Sequence, residues 1–242
     1  MTAIYAFASK SNKLAFIASD NIEIKSRKKV DKVFLLEGHF YVGVLGPDVA
    51  VEAIDAMKKF EDYPNFTPLD SAQTIMEKIG EYTKVLCNYH YRKHLEDSKF
   101  NKTTQRDWDE ILKNDLKIVV LDFLKYDLYK ADFGYPFPPE KLLDKPEIKK
   151  LTDGILHLFG FAKDVAKSSQ ENIDIRSIKD DPYSFVQERI NQDKLRVQQI
   201  GDLGASIIVK EGKSEFLSCF SDPLEYIEET CSRITGLPIK YD

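Results

Sequence analysis

Three side chains capable of metal binding or nucleophilic chemistry fall close together in the sequence: Cys87, His90 and His94. Along a helix this spacing places them on one face, and a thiolate with two imidazoles is a donor set that zinc accepts. No clear fourth ligand stands nearby, although Asp97 is a candidate. The competing reading is a partly buried cysteine and two solvated histidines among Tyr89, Tyr91, Arg92 and Lys93. It is the one adopted, so neither a metal nor a cofactor is expected. A second feature is the basic run Lys25-Ser-Arg-Lys-Lys-Val-Asp-Lys32, which reads as a solvated loop rather than an anion site. A phosphate-cradling glycine loop, a Gly-x-Ser-x-Gly elbow and a kinase signature are all missing.

The elements that must carry any site begin with strands. Ala3 to Ala8 is short, apolar and β-prone, Ser9 to Asn12 supplies turn residues, and Lys13 to Ala18 follows, a hairpin closed by Asp20-Asn21. Lys32 to Leu36, a Glu37-Gly38 turn and His39 to Leu45 make a second hairpin. Apolar residues occupy both faces of these strands, which implies sheets buried on both sides. Gly46-Pro47-Asp48 suits a helix start, because proline in the first turn forfeits no needed N–H. Ala50, Ala53, Ile54 and Met57 continue at helical spacing, and a long amphipathic helix is expected from Ser71 to about Leu95.

Leu116 to Phe123 and Tyr126 to Phe133 then read as paired strands, and Lys141 to Lys150 as a charged excursion without clear structure. Ile155 to Phe159 reads as a short strand ending at Gly160. Phe161 to about Ser169 and Pro182 to about Gln198 read as helices. Ala205 to Val209 and Glu215 to Cys219 form a last hairpin, with a short helix near Pro223 to Ile234. Grouped strands and grouped helices favour packed sheets with helices outside over alternating βαβ units. No break in composition divides residues 1–242, so one domain is expected.

Bulk properties exclude several classes. The 242 residues carry 35 Lys+Arg against 40 Asp+Glu, a net charge of −5, which argues against nucleic-acid binding. No apolar run is long enough for a membrane helix, and the first residues lack a signal-peptide pattern. Cys87, Cys219 and Cys231 are too few and too scattered for a disulfide framework, so a reducing cytoplasm is the simplest compartment.

Four short segments occur in a telling order: Thr2-Ala-Ile-Tyr-Ala-Phe7, Phe16-Ile-Ala-Ser-Asp20, Val30-Asp-Lys-Val33 and Tyr41-Val-Gly-Val-Leu-Gly46. Together they resemble the opening of proteasome β-subunits, which belong to the N-terminal-nucleophile (Ntn) hydrolases. Only Met1 precedes Thr2, which is closer to the simple bacterial proteasome-like peptidases without a propeptide. The resemblance implies an α+β fold, a four-layer αββα sandwich of two antiparallel sheets flanked by helices. It implies Thr2 as nucleophile after Met1 removal, Asp20 and Lys32 beside it, and the Gly46 amide as oxyanion donor. Asp202 and Ser206 are the candidates for a further acid and hydroxyl before the last hairpin. Val30, Phe34, Val44, Asp48 and Glu52 would line the substrate pocket, although Val30, Phe34 and Val44 also read as core and the two carboxylates as solvent-facing.

The chemistry of such a set has a physical basis. A threonine hydroxyl needs a base, and a free α-amine, titrating at about 7.7–8.0, serves near neutral pH. A lysine ammonium alongside keeps that amine neutral, and a carboxylate orients the lysine. A backbone N–H at a helix start stabilises the oxyanion of acyl transfer. The chain departs from the family at Gly160-Phe161-Ala162, where a hydroxyl residue is usual. A proteasome-like threonine peptidase or amidase is therefore expected, acting on a peptide or protein. The resemblance also implies a ring or stacked homo-oligomer and, for a closed chamber, an unfoldase ATPase. The alternatives are a non-catalytic scaffold or assembly subunit with an incomplete site, and a small-molecule amide hydrolase.

Overall fold

A computed structural model describes residues 3–21, 32–36, 39–46, 54, 70–98, 116–134, 146–197 and 200–217, with the side chains of 86, 87, 90–98 and 217 outside the description. Strand β1 (Ala3–Ser9) and strand β2 (Leu14–Asp20) form the expected first hairpin, in register from Ile4↔Ser19 to Ser9↔Leu14. Lys13, at φ 47°, takes the left-handed turn conformation that admits this tight reversal. Strand β3 (Val33–Leu35) and strand β4 (Phe40–Leu45) form the second hairpin. The two hairpins part company: β1 and β2 lie in one sheet, β3 and β4 in the other.

The first sheet is completed by β8 (Ile155–Gly160), β9 (Gln170–Asn172), β10 (Leu203–Lys210) and β11 (Lys213–Leu217), in the order β11-β10-β2-β1-β8-β9. The second adds β5 (Leu116–Asp122), β6 (Asp127–Gly134) and β7 (Glu147–Lys150), in the order β3-β4-β5-β6-β7. Every pairing is antiparallel. Helix α1 (Ala72–Ser98) matches the long amphipathic stretch. Three more follow: α2 (Phe161–Ala166), α3 (Ile175–Lys179) and α4 (Pro182–Arg196). The last begins as its sequence dictates, with Asp181 accepting from the Ser184 N–H at 3.0 Å and Pro182 in the first turn.

Period-two alternation sorts the strand residues into cores. Ile4, Ala6, Ala15 and Ile17 of the first sheet join Tyr41, Val119 and Leu121 of the second in one cluster. Their strand neighbours Tyr5, Phe7, Phe16 and Ala18 turn the other way, onto Ala162, Ile178, Val186 and Ile190 of α2, α3 and α4. The far face of the second sheet, with Phe40, Val42, Ile118 and Val120, packs on Ile75, Met76 and Ile79 of α1 and on Ile54. Both faces of β1, β2 and β4 are therefore buried, as the apolar character of the first strands implies.

Three elements differ from the sequence reading. Part of the charged excursion is an ordered edge strand, β7, whose charged side chains suit an edge because they discourage pairing with a further strand. The short β9 and α3 carry mostly polar residues and gave no periodic signal. The 135–145 loop, the 223–234 helix and, apart from Ile54, the helix after Pro47 lie outside the described residues.

Candidate active site

Asp20 is the last residue of β2 and has no solvent exposure. Among the described residues, three donors converge on its carboxylate. The Ala3 N–H reaches Oδ1 at 2.9 Å and the Gly201 N–H reaches Oδ2 at 3.3 Å. The Lys32 ammonium donates to Oδ1 at 3.1 Å. A buried carboxylate costs several kcal/mol (about) unless it is paired and hydrogen-bonded, and here both oxygens are engaged.

The scaffold explains why these groups meet. The β1–β2 register runs Ile4↔Ser19, so the next step brings Ala3 opposite Asp20. On the other side of β2, Leu203 pairs with Asp20, and the pairing then shifts so that Ser206 faces Ala18. This irregularity brings the backbone of β10 against the end of β2. A Cβ on Gly204 would lie 2.8 Å from the Asp20 carbonyl oxygen, so glycine is required by closeness. Asn21 continues the contact, its N–H donating to the Asp202 carbonyl at 3.0 Å.

Lys32 enters from the second sheet. Its carbonyl accepts the Val44 N–H at 2.9 Å, which extends the β3–β4 ladder by one step. Its ammonium then joins Asp20, and the side chains are 6% and 0% exposed. The ion pair ties the ends of the two sheets together. Gly46 follows β4 directly, with φ 129°, a region that residues with a Cβ seldom enter. Lys32 and Gly46 thus share one end of the β3–β4 hairpin.

The remaining expected residues fall in different places. Ser206 lies within β10 rather than in a loop before it, buried, with its Oγ lacking a partner among the described residues. The Asp202 carboxylate pairs with Lys194 of α4 at 2.5 Å and is 66% exposed. Phe34 and Val44 are core residues against α1, the bland reading of the two. Gly160, at φ 59°, pairs with Ala3, so the turn that lacks a hydroxyl stands beside the start of β1. Met1, Thr2, Val30, Asp48 and Glu52 lie outside the described residues, as do the side chains of Cys87, His90, His94 and Asp97. Among the described residues no cluster of His, Cys, Asp or Glu is suited to a metal. No helix among them is long and apolar enough to cross a membrane.

Sequence reasoning missed the amides of Ala3 and Gly201, because main-chain donors have no residue signature. The pair Gly201 and Gly204 around Asp202 was the available hint of a close backbone approach. It also missed a buried network on the helix side of the first sheet. The Tyr5 hydroxyl donates to Asp193 Oδ2 at 2.9 Å, and Arg189 bridges Asp193 and Glu171. A tyrosine on an otherwise apolar strand signals such a partner, since its hydroxyl must be satisfied when buried.

No protein-family model matches the chain, and no curated protein matches it in sequence. Its structure is similar to Anbu (ancestral beta-subunit) from Yersinia bercovieri, with a TM-score of 0.52 and 11% identity over 100% of both chains. At that identity the likeness shows the fold alone, two antiparallel sheets with helices packed against them.

Proposed function

We propose that the chain is a threonine-type amide hydrolase, a proteasome-like peptidase in which Thr2, freed of Met1, is the nucleophile. In this reading residues 1–242 form one four-layer αββα domain. One observation carries it: the nitrogen that donates to Asp20 is the peptide nitrogen joining residues 2 and 3, and the same Asp20 oxygen accepts from Lys32. The reading requires Thr2, the residue covalently bonded to this nitrogen, to present its hydroxyl to the pair.

The Thr2 hydroxyl attacks an amide carbonyl while its own α-amine takes the proton. The Lys32 ammonium disfavours a second positive charge on that amine, and Asp20 fixes the lysine. The Gly46 N–H donates to the developing oxyanion. Collapse expels the amine leaving group with the proton held by the α-amino group. Water, deprotonated by the same amine, then cleaves the acyl-threonine ester. A ring or stacked homo-oligomer in a reducing compartment, fed by an unfoldase, completes the proposal for protein substrates.

The departure at Gly160-Phe161-Ala162 and the pairing of Asp202 with Lys194 favour a second reading, a non-catalytic scaffold on the same fold. Intact mass of natively expressed protein, then treatment with a β-lactone or epoxyketone, separates the two. A peptidase shows loss of Met1 and one label, absent in Thr2→Ala. Retained Met1 with no label leaves the scaffold.

A further inference from the structure

The buried network beside the site has no part in the chemistry proposed above. It joins three elements: Tyr5 of β1, Arg189 and Asp193 of α4, and Glu171 of β9. Tyr5 and Asp193 are 1% exposed each. Arg189 grips Glu171 with two parallel bonds of 2.7 and 2.8 Å and reaches Asp193 Oδ2 at 3.2 Å, the same oxygen that Tyr5 engages. Bidentate charge-assisted bonds of this kind fix geometry as well as adding energy. Burial pushes the Tyr5 phenol far up, and the Asp193 and Asp20 carboxylates push it the same way. It therefore remains a donor across the working pH range. The hydrogen bond to Glu171 likewise holds Arg189 charged.

The position of the network gives it a consequence. Tyr5 and Ala3 stand on the same face of β1, two residues apart. Ala3 supplies one of the two amides that hold Asp20. Asp193 sits in the last turn of α4, and its carbonyl accepts the Val197 N–H that ends the helix. Ile200 N–H then bonds back to the Val197 carbonyl, and Gly201, the next residue, supplies the second amide. The Tyr5–Asp193 bond thus clamps together the strand and the helix end that carry the two amides.

We propose that Tyr5 and Asp193 are positioning residues for Asp20, setting the spacing of the Ala3 and Gly201 amides and, through the carboxylate, the direction of the Lys32 ammonium. Its catalytic consequence rests on the function proposed above; its structural consequence does not. Neither side chain touches a reacting atom. Arg189 and Glu171 act one step further out, holding Asp193 against the phenol.

The test compares Tyr5→Phe and Asp193→Asn with wild-type full-length protein in two arms. Amide hydrogen exchange at Ala3 and Gly201 is read against the Gly154 amide, which bonds to Ala8 at the other end of β1. Exchange at the two site amides should rise about tenfold with the Gly154 amide unchanged, the effect expected of one lost charge-assisted hydrogen bond. In the second arm, the β-lactone inactivation constant should fall about tenfold while its apparent binding constant holds, because orientation rather than binding is lost. A lower melting midpoint with the exchange ratio and inactivation constant both at wild-type values overturns the proposal. Should Tyr5→Phe fail to fold, Asp193→Asn decides by the same two readings. A wild-type protein that takes no label sinks the peptidase reading, and the exchange arm then decides the positioning role by itself.

Discussion

Replacing Gly204 with alanine tests whether the end of β2 and the irregular start of β10 are as close as the site requires. The added Cβ would lie 2.8 Å from the Asp20 carbonyl oxygen, 2.9 Å from its carbonyl carbon and 3.0 Å from the Asn21 Cα. Carbon contacts are comfortable at about 3.5–4.0 Å, so the two backbones must part by roughly half an ångström or more. All three neighbours are main-chain atoms, which cannot rotate out of the way as a side chain would. Overpacking of this kind costs about 1–3 kcal/mol. Alanine also restricts the unfolded chain, which offsets about 0.4–1 kcal/mol where the native conformation is compatible. The ranges leave a net loss between about 0 and 2.6 kcal/mol, centred at about 1–2 kcal/mol, and for a chain of this size each kcal/mol moves the melting midpoint by about 2–4 °C. Calorimetry should therefore show a midpoint lower by about 2–8 °C. The displacement should be felt first at the Gly201 amide, whose 3.3 Å bond to Asp20 is the longest of the three, as faster hydrogen exchange. A variant as stable as wild type, with Gly201 exchange unchanged, would refute the close approach and the reason given for glycine.

Two further outcomes follow from the buried charges. Asp20→Asn keeps the shape but turns an amide NH₂ toward one donor and leaves the Lys32 ammonium without its carboxylate. Breaking such a pair costs about 3–5 kcal/mol, so thermal unfolding should move down by on the order of 10 °C. A change within about 1 °C would show that the pair contributes little. The second outcome concerns pH. His157 of β8 is buried, and burial lowers its pKa below 6.5, only partly opposed by its bond with the Thr152 carbonyl at 3.0 Å. The unfolded chain therefore binds the proton more readily than the native protein as pH falls through 6.5. Stability from this residue is complete above that pH and declines below it. Melting midpoints measured between about pH 5 and 8 should fall on the acid side, and His157→Gln should flatten that part of the curve. An unaltered slope in the variant would assign the acid loss to other groups.

Much of the architecture was legible because apolar character and turn chemistry are local. Ala3–Ser9 and Leu14–Asp20 could be read as strands from β-prone residues around a turn, and their double-sided apolarity announced burial on both faces. The 3.6-residue spacing of Ile75, Ile79 and Tyr82 did the same for α1. Glu147–Lys150 escaped because an edge strand is held by backbone bonds that any residue can make. Which strands share a sheet was also hidden: β1 pairs with β8, about 150 residues away. Pairing at that distance depends on the shape of the whole core.

The site divides in the same way. The sequence supplied the residue types, Thr2, Asp20 and Lys32, that the proposed amine-assisted hydroxyl would need. It also determined that Asp20 ends a strand and Lys32 begins one. Only the tertiary structure decided that these ends meet, that the amides of Ala3 and Gly201 complete the shell around Asp20, and that the Asp202 carboxylate pairs with Lys194. The physical reason is that a side chain's chemistry is written in its own residue, whereas a hydrogen bond across two sheets depends on strand order, register and one irregularity near Gly204. Those follow from packing the entire chain at once.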